Sequence, residues 1–140
     1  MRSPAFLLLA CGVGACASTG PGTSYVSGIG SDRDAVRLAT AAAEIAARKL
    51  PSSAAVMLDP VPASQANNVL TPALRKALES RGFIVTDKSR HLLRYWATPL
   101  DGGDLLRLSL DGLEASRFFI RSDEGLEPGG PFTIRQADAR

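Results

Sequence analysis

The apolar residues of this 140-residue chain change period once, and that change restricts the fold more than any other feature. Before Arg81 two long segments carry apolar residues at helical spacing, and after it they recur at every second position. A chain that spends its helical stretches first and then runs through consecutive strands must pack the helices against the sheet made by the rest. The first helix is expected from Ser31-Asp32, which offers an N-cap, to Leu50. Asp34 adds negative charge in its first turn, and Arg48 and Lys49 add positive charge in its last. Leu38, Ala41, Ala42, Ile45 and Ala46 fall on one face, and Pro51 ends the helix.

A short apolar run, Ala54 to Asp59, reads as a strand closed by Pro60. The second helix is expected over Gln65 to Arg81, with Leu70, Leu74 and Leu78 every four residues and Gly82 as C-terminal cap. Ser64 and Thr71 are both candidate N-caps. Pro72 suits the first turn of a helix capped by Thr71, or kinks a longer one. Phe83 to Thr86 makes a second short strand. Strands then follow at His91 to Ala97, Leu105 to Leu110, Glu114 to Arg121 and Phe132 to Arg135. Asp101-Gly102-Gly103, Asp111-Gly112 and Pro128-Gly-Gly-Pro131 supply the turns. The expected architecture is α+β, with two helices packed on one face of a mostly antiparallel sheet.

The first thirty residues belong to neither pattern. Arg2 precedes an apolar run from Ala5 to Ala10, and small residues lead to Cys16, the parts of a secretory leader. That run is far short of the roughly 20 residues that span a bilayer. Val13-Gly14-Ala15-Cys16 resembles the bacterial lipobox, and Leu8-Leu9-Ala10-Cys11 fits it too. Cleavage at Cys11 leaves an apolar core of only about six or seven residues, whereas cleavage at Cys16 leaves about eleven, which favours Cys16 as the lipidated residue over Cys11. Resemblance to lipoproteins implies diacylglycerol on the Cys16 thiol and a third acyl chain on its amino group. Ala17, where an aspartate would stand for inner-membrane retention, implies transport to the outer membrane. Residues 17–30 are small, polar and glycine-rich, and read as a tether of about 20 Å. Gly28-Ile29-Gly30 lacks the lysine and the preceding strand of a phosphate loop. The expected division is a signal peptide over 1–15, the lipidated cysteine and tether over 16–30, and a periplasmic domain over 31–136.

The composition argues against most chemistry. Cys11 and Cys16 are the only cysteines and His91 the only histidine, so cysteine zinc sites and histidine clusters have no ligands in the body of the chain. A formal charge of +2, with basic residues interleaved among carboxylates, gives no nucleic-acid footprint. Asp101, Asp104, Asp111 and Glu114 flank predicted turns without the spacing of a calcium loop, and read as solvated hairpin ends. His91 has no nucleophile motif around it. No catalytic residue, metal, cofactor or small-molecule substrate is expected. Tyr95 and Trp96 lie on opposite faces of one strand, and both are candidates for an interface, with one of them expected in the core.

The ordered set of elements resembles the TrbH-type lipoproteins of conjugal-transfer (type IV secretion) systems. It comprises the lipobox and short linker, the alanine-rich helix ending at Leu50-Pro51, and the strand running into Pro60-Val61-Pro62. The leucine-spaced helix closed by Arg81-Gly82-Phe83 follows, then the hairpin region Leu93-Arg94-Tyr95 with Leu105 to Leu110, and then Phe119-Ile120-Arg121 before a closing strand. This resemblance implies an architectural component held by lipid at the outer membrane, facing the periplasm, in contact with protein subunits of the transfer apparatus. The alternative is an envelope lipoprotein that binds cell wall or regulates an envelope enzyme. A periplasmic module for a small ligand ranks third, and an apolar pocket would mark it.

Overall fold

Ser31 opens the first helix as its composition predicts: its hydroxyl accepts from the Asp34 N–H, and the helix, α1, runs Asp32–Lys49 in the computed structural model, which describes residues 23–136. Eight of its apolar side chains are buried, including Ala35, Ala39 and Ala43 beyond the single face read from spacing, because α1 packs against both the sheet and the second helix. Alanines at these positions allow the close approach. The second helix, α2, spans Leu70–Ser80 and starts later than its leucine spacing suggests. Residues 63–65 form a separate 3-10 turn, and neither Ser64 nor Thr71 caps α2. The capping acceptor is Asn68, whose Oδ1 takes the Thr71 N–H at 2.8 Å. Pro72 therefore sits in the first turn, where its missing N–H has no intrahelical partner to lose. The C-terminus closes as a Schellman motif: Phe83 N–H bonds to Leu78 C=O, Gly82 N–H to Glu79 C=O, and Gly82 holds φ +89°.

Eight strands form one mixed sheet among the described residues. They are β1 (Tyr25–Val26), β2 (Ala55–Leu58), β3 (Ile84–Val85), β4 (Leu92–Leu100), β5 (Gly103–Leu110), β6 (Leu113–Ser122), β7 (Gly125–Pro128) and β8 (Thr133–Gln136). The long β4, β5 and β6 pair antiparallel and supply most of the ladder. Asp111 and Gly112, at φ 48° and 82°, join β5 to β6 through the doubly left-handed turn that Asp-Gly favours. The short strands β1, β2 and β3 pair parallel, β3 with β2 and both β2 and β1 with β4, whereas β7 and β8 pair antiparallel with β6. Parallel pairing needs a crossover, and α2 provides it between β2 and β3.

Both edges of the central meander are shared end to end. β2 runs along β4 at Leu92 and Leu93, and β1 at Trp96 and Ala97. β7 pairs with the second half of β6, and β8 with the first. Pro128-Gly-Gly-Pro131, read from sequence as a turn, is instead a bulge in one edge that continues in the same direction, because Gly129 N–H still bonds Phe118 C=O and Arg117 Nε bonds Gly130 C=O.

The reading of residues 17–30 as tether needs correction at residues 24–27. Ser24 is fully buried. Its N–H donates to Asp59 Oδ2 at 2.9 Å, and its hydroxyl accepts from Tyr95 N–H at 3.1 Å. Val26 N–H donates to Gln65 Oε1, and Ser27 N–H to Ala97 C=O. Residues 24–27 are thus fastened to the sheet, with Tyr25–Val26 as strand β1. The expected signal peptide and the cysteines Cys11 and Cys16 lie outside the described residues.

Candidate functional site

Strand parity divides the meander into two unlike faces. Leu93, Tyr95 and Ala97 of β4, Leu106, Leu108 and Leu110 of β5, and Ala115 and Phe119 of β6 are buried with the helices. The opposite parity carries Trp96, Thr98, Leu105, Arg107, Ser116 and Phe118, which no helix covers. Trp96, Arg107 and Ser116 are in register across three strands, and Tyr25 of β1 stands beside Trp96. The Arg107 guanidinium lies 5.5 Å from the centroid of the Trp96 ring, a cation–π contact. Beyond that row, Leu105 and Phe118 are half-buried, while Leu100 and Ile120 are 49% and 48% exposed. Tyr25 is 39% exposed. The face thus carries an apolar and aromatic patch beside an arginine.

The two aromatic candidates separate. Trp96 belongs to the open face. Tyr95 is 1% exposed, and its hydroxyl bonds the Thr71 hydroxyl at 2.7 Å, so it ties the sheet to α2 and reaches no partner surface. Burial raises its pKa, keeping the phenol protonated.

The carboxylates of the hairpin ends separate as well. Asp101 is exposed in its turn, Asp111 contacts His91 Nδ1, and Glu114 pairs with Arg135 across the β6–β8 edge. Asp104 departs from the solvated reading: it is fully buried, and its Oδ2 accepts from Arg121 Nη2 at 2.7 Å. Arg121 Nη1 also donates to Asp34 Oδ2 at 3.2 Å. Burial pushes the Asp104 carboxyl up, against the pull of Arg121. Burial pushes Asp34 up too, but the Leu126 N–H, Ser31 and Arg121 outweigh it and hold that carboxyl below its ordinary value. Asp34 Oδ1 takes Leu126 N–H at 2.9 Å, and Arg37 donates to Leu126 C=O. The outer edge of β7 is thereby closed by two side chains of α1, as a further strand would close it. This cluster is a structural clamp. Among the described residues no group of three or more His, Cys, Asp or Glu could hold a metal ion, and no helix is long and apolar enough to cross a membrane.

A groove of about 430 Å³ lies between α1 and the β6–β7 edge, over Val36, Ala41, Phe119 and Pro128, with Arg37, Glu44, Arg117 and Glu127 around it. Arg117 is held there by Gly130 C=O and by the rings of Phe119 and Phe132, at 5.6 and 5.1 Å. A second groove, of about 300 Å³, continues past Val36 and Thr40 between the two helices. Both are open clefts of mixed polar and apolar lining.

The clamp was within reach of the sequence by parity. Asp104 shares the inward register of Leu106 and Leu108, and Asp34 lies four residues before Leu38 on the apolar side of α1. Ser24 left no such sign, since its partners, Asp59 and Tyr95, are distant in the chain.

Comparison with known proteins agrees with this order of elements. No curated protein and no solved structure matches the chain. The family described as conjugal transfer protein TrbH matches residues 19–138, which takes in every strand and helix described above. The chain belongs to the TrbH family of conjugal transfer proteins.

Proposed function

We propose that this protein is a lipid-anchored structural component of a conjugal type IV secretion apparatus, held at the periplasmic side of the outer membrane by acyl chains on Cys16. The observation that carries the reading is the family match over residues 19–138, joined to the lipobox Val13-Gly14-Ala15-Cys16 that precedes it. Three acyl chains hold far more firmly than a single myristoyl group, at about 0.8 kcal/mol per buried methylene. The α+β body then works by position. Its role is architectural, with the two clefts beside α1 available to other subunits. The test is a mild-detergent pull-down of the tagged protein from native membranes, with mass spectrometry of the partners and of its own N-terminal peptide. Recovery of a large assembly containing transfer subunits, with an acylated Cys16, is expected. Recovery of peptidoglycan fragments or a single synthase would replace this reading with that of a cell-wall lipoprotein. Normal conjugal transfer after deletion of the gene would overturn it.

A further inference from the structure

We propose that the open face of the sheet rests on the bilayer surface, so that the protein meets the membrane by a folded surface as well as by its anchor. The inference rests on the lipid-anchored reading above and adds an orientation to it. Three observations carry it. First, the face has the composition of a membrane interface. Tyr25 and Trp96 stand side by side, Arg107 stacks on the indole, and Leu100, Phe118 and Ile120 extend the apolar area. Tyrosine and tryptophan favour the headgroup level, where an arginine keeps its charge among phosphates while its stem lies on apolar surface.

Second, the cation stacked on the indole lacks a partner among the described residues, although Glu127, cross-strand from Ile120, puts one carboxylate at the far edge of the same face. Arg135 on this face is neutralised by Glu114, and Arg94 lies 3.6 Å from Asp59, but Arg107 has no carboxylate within ion-pair distance among the described residues. Its complement is an anionic surface.

Third, the covalent chain brings the membrane to this side of the molecule. Tyr25 is on the face itself and follows Cys16 closely in sequence. Even a fully extended chain of that length spans only about 30 Å. An acylated Cys16 would therefore present the bilayer to this face at high effective concentration, and a weak contact would suffice to orient the domain.

Trp96 is the only tryptophan of the chain, so its fluorescence reports this face alone. The acylated protein is reconstituted into vesicles of phosphatidylethanolamine and phosphatidylglycerol, with and without bromine-labelled acyl chains. Flotation with the vesicles and the acyl mass of the Cys16 peptide report the anchor. Quenching of Trp96 by the labelled lipid reports the face. The proposal expects quenching that is lost in Arg107→Glu and Ile120→Asp, both exposed positions, while flotation and circular dichroism stay unchanged. Replacing phosphatidylglycerol by phosphatidylcholine should weaken quenching in the wild type. Flotation without quenching overturns the proposal and leaves the anchor standing; loss of flotation with an unmodified Cys16 overturns the anchor instead. A photo-crosslinker at Phe118 that couples to a transfer subunit or to a second copy, in place of lipid, also overturns it.

Discussion

Replacing Asp34 by alanine should unfasten β7 from α1, and the size of the effect follows from what Asp34 touches. Its Oδ1 is the acceptor of the buried Leu126 N–H, and its Oδ2 receives one arm of Arg121. Leaving the Leu126 N–H without an acceptor costs about 1–3 kcal/mol. The contact with Arg121, whose side chain is half exposed, adds about 0–1 kcal/mol after screening. Alanine also removes a favourable negative charge from the first turn of α1, a further cost of about 0.3 kcal/mol. The Ser31 cap is untouched, since it accepts from the backbone of residue 34. The net loss is about 2 kcal/mol at neutral pH, or about 8 °C in melting temperature for a domain of this size. Urea denaturation of wild type and variant measures it, with an unchanged m-value as the sign that the denatured state is the same. The pH dependence has a definite sign. Asp34 has a lowered folded-state pKa, so its contribution is present above the unfolded value, near 3.9, and is lost as pH falls through the lower folded value. The difference between wild type and Asp34→Ala should therefore hold from pH 7 to 5 and shrink only in acid. A difference below about 0.5 kcal/mol at pH 7, within the range of ordinary surface substitutions, would refute the clamp.

Asp104→Asn should act in the opposite sense. The Asp104 pKa is raised in the fold, so the stability linked to its proton is present below the unfolded pKa and lost as pH rises through the folded one; urea midpoints should move in favour of the asparagine variant between pH 4 and pH 7, and a flat difference would contradict this. Leu74→Ala empties a fully buried position between α2 and the sheet and should cost about 2–5 kcal/mol, whereas Leu100→Ala, half exposed, should stay within about 0.5 kcal/mol in the same assay. Ser24→Ala removes the acceptor of Tyr95 N–H and should cost about 1–2 kcal/mol; faster hydrogen exchange at residue 95 would locate the loss.

Where local chemistry decides an element, the sequence was readable. The ends of α1 follow from Ser31 and Pro51, and the β5–β6 hairpin from Asp111-Gly112, because each of those residues satisfies or removes a specific backbone group. Opposite fates for Tyr95 and Trp96 were likewise implicit in neighbours two residues away: Leu93 and Ala97 share the inward side, Arg94 and Thr98 the outward one. What stayed hidden depends on contacts between distant residues. Pro128-Gly-Gly-Pro131 has the composition of a turn and of a bulge alike, and only the pairing of both β7 and β8 with β6 distinguishes them. The start of α2 hinged on Asn68, which outcompetes Ser64 and Thr71 because its side chain meets the Thr71 N–H. Asp104 stands beside a turn, as a solvated hairpin end would, but its place in the inward register of β5 decides its burial.

The incorporation of residues 24–27 into the sheet changes what an anchor on Cys16 can do. A free tether running to residue 30 would let the domain tumble beneath the membrane and pass no force to it. Here the covalent link from the N-terminus ends on β4, the strand that also carries β2 and β5, and it is fastened by Ser24 to Asp59 and to Tyr95. Tyr95 in turn bonds Thr71 in the first turn of α2. On the proposed anchoring, load applied at Cys16 would reach the sheet and the second helix through these hydrogen bonds. If the protein holds other subunits at a fixed place on the envelope, as proposed, a link tied into the core serves that role better than one tied to a loop. That is a physical reason for a two-residue strand, too short to be stable by itself, to exist at all.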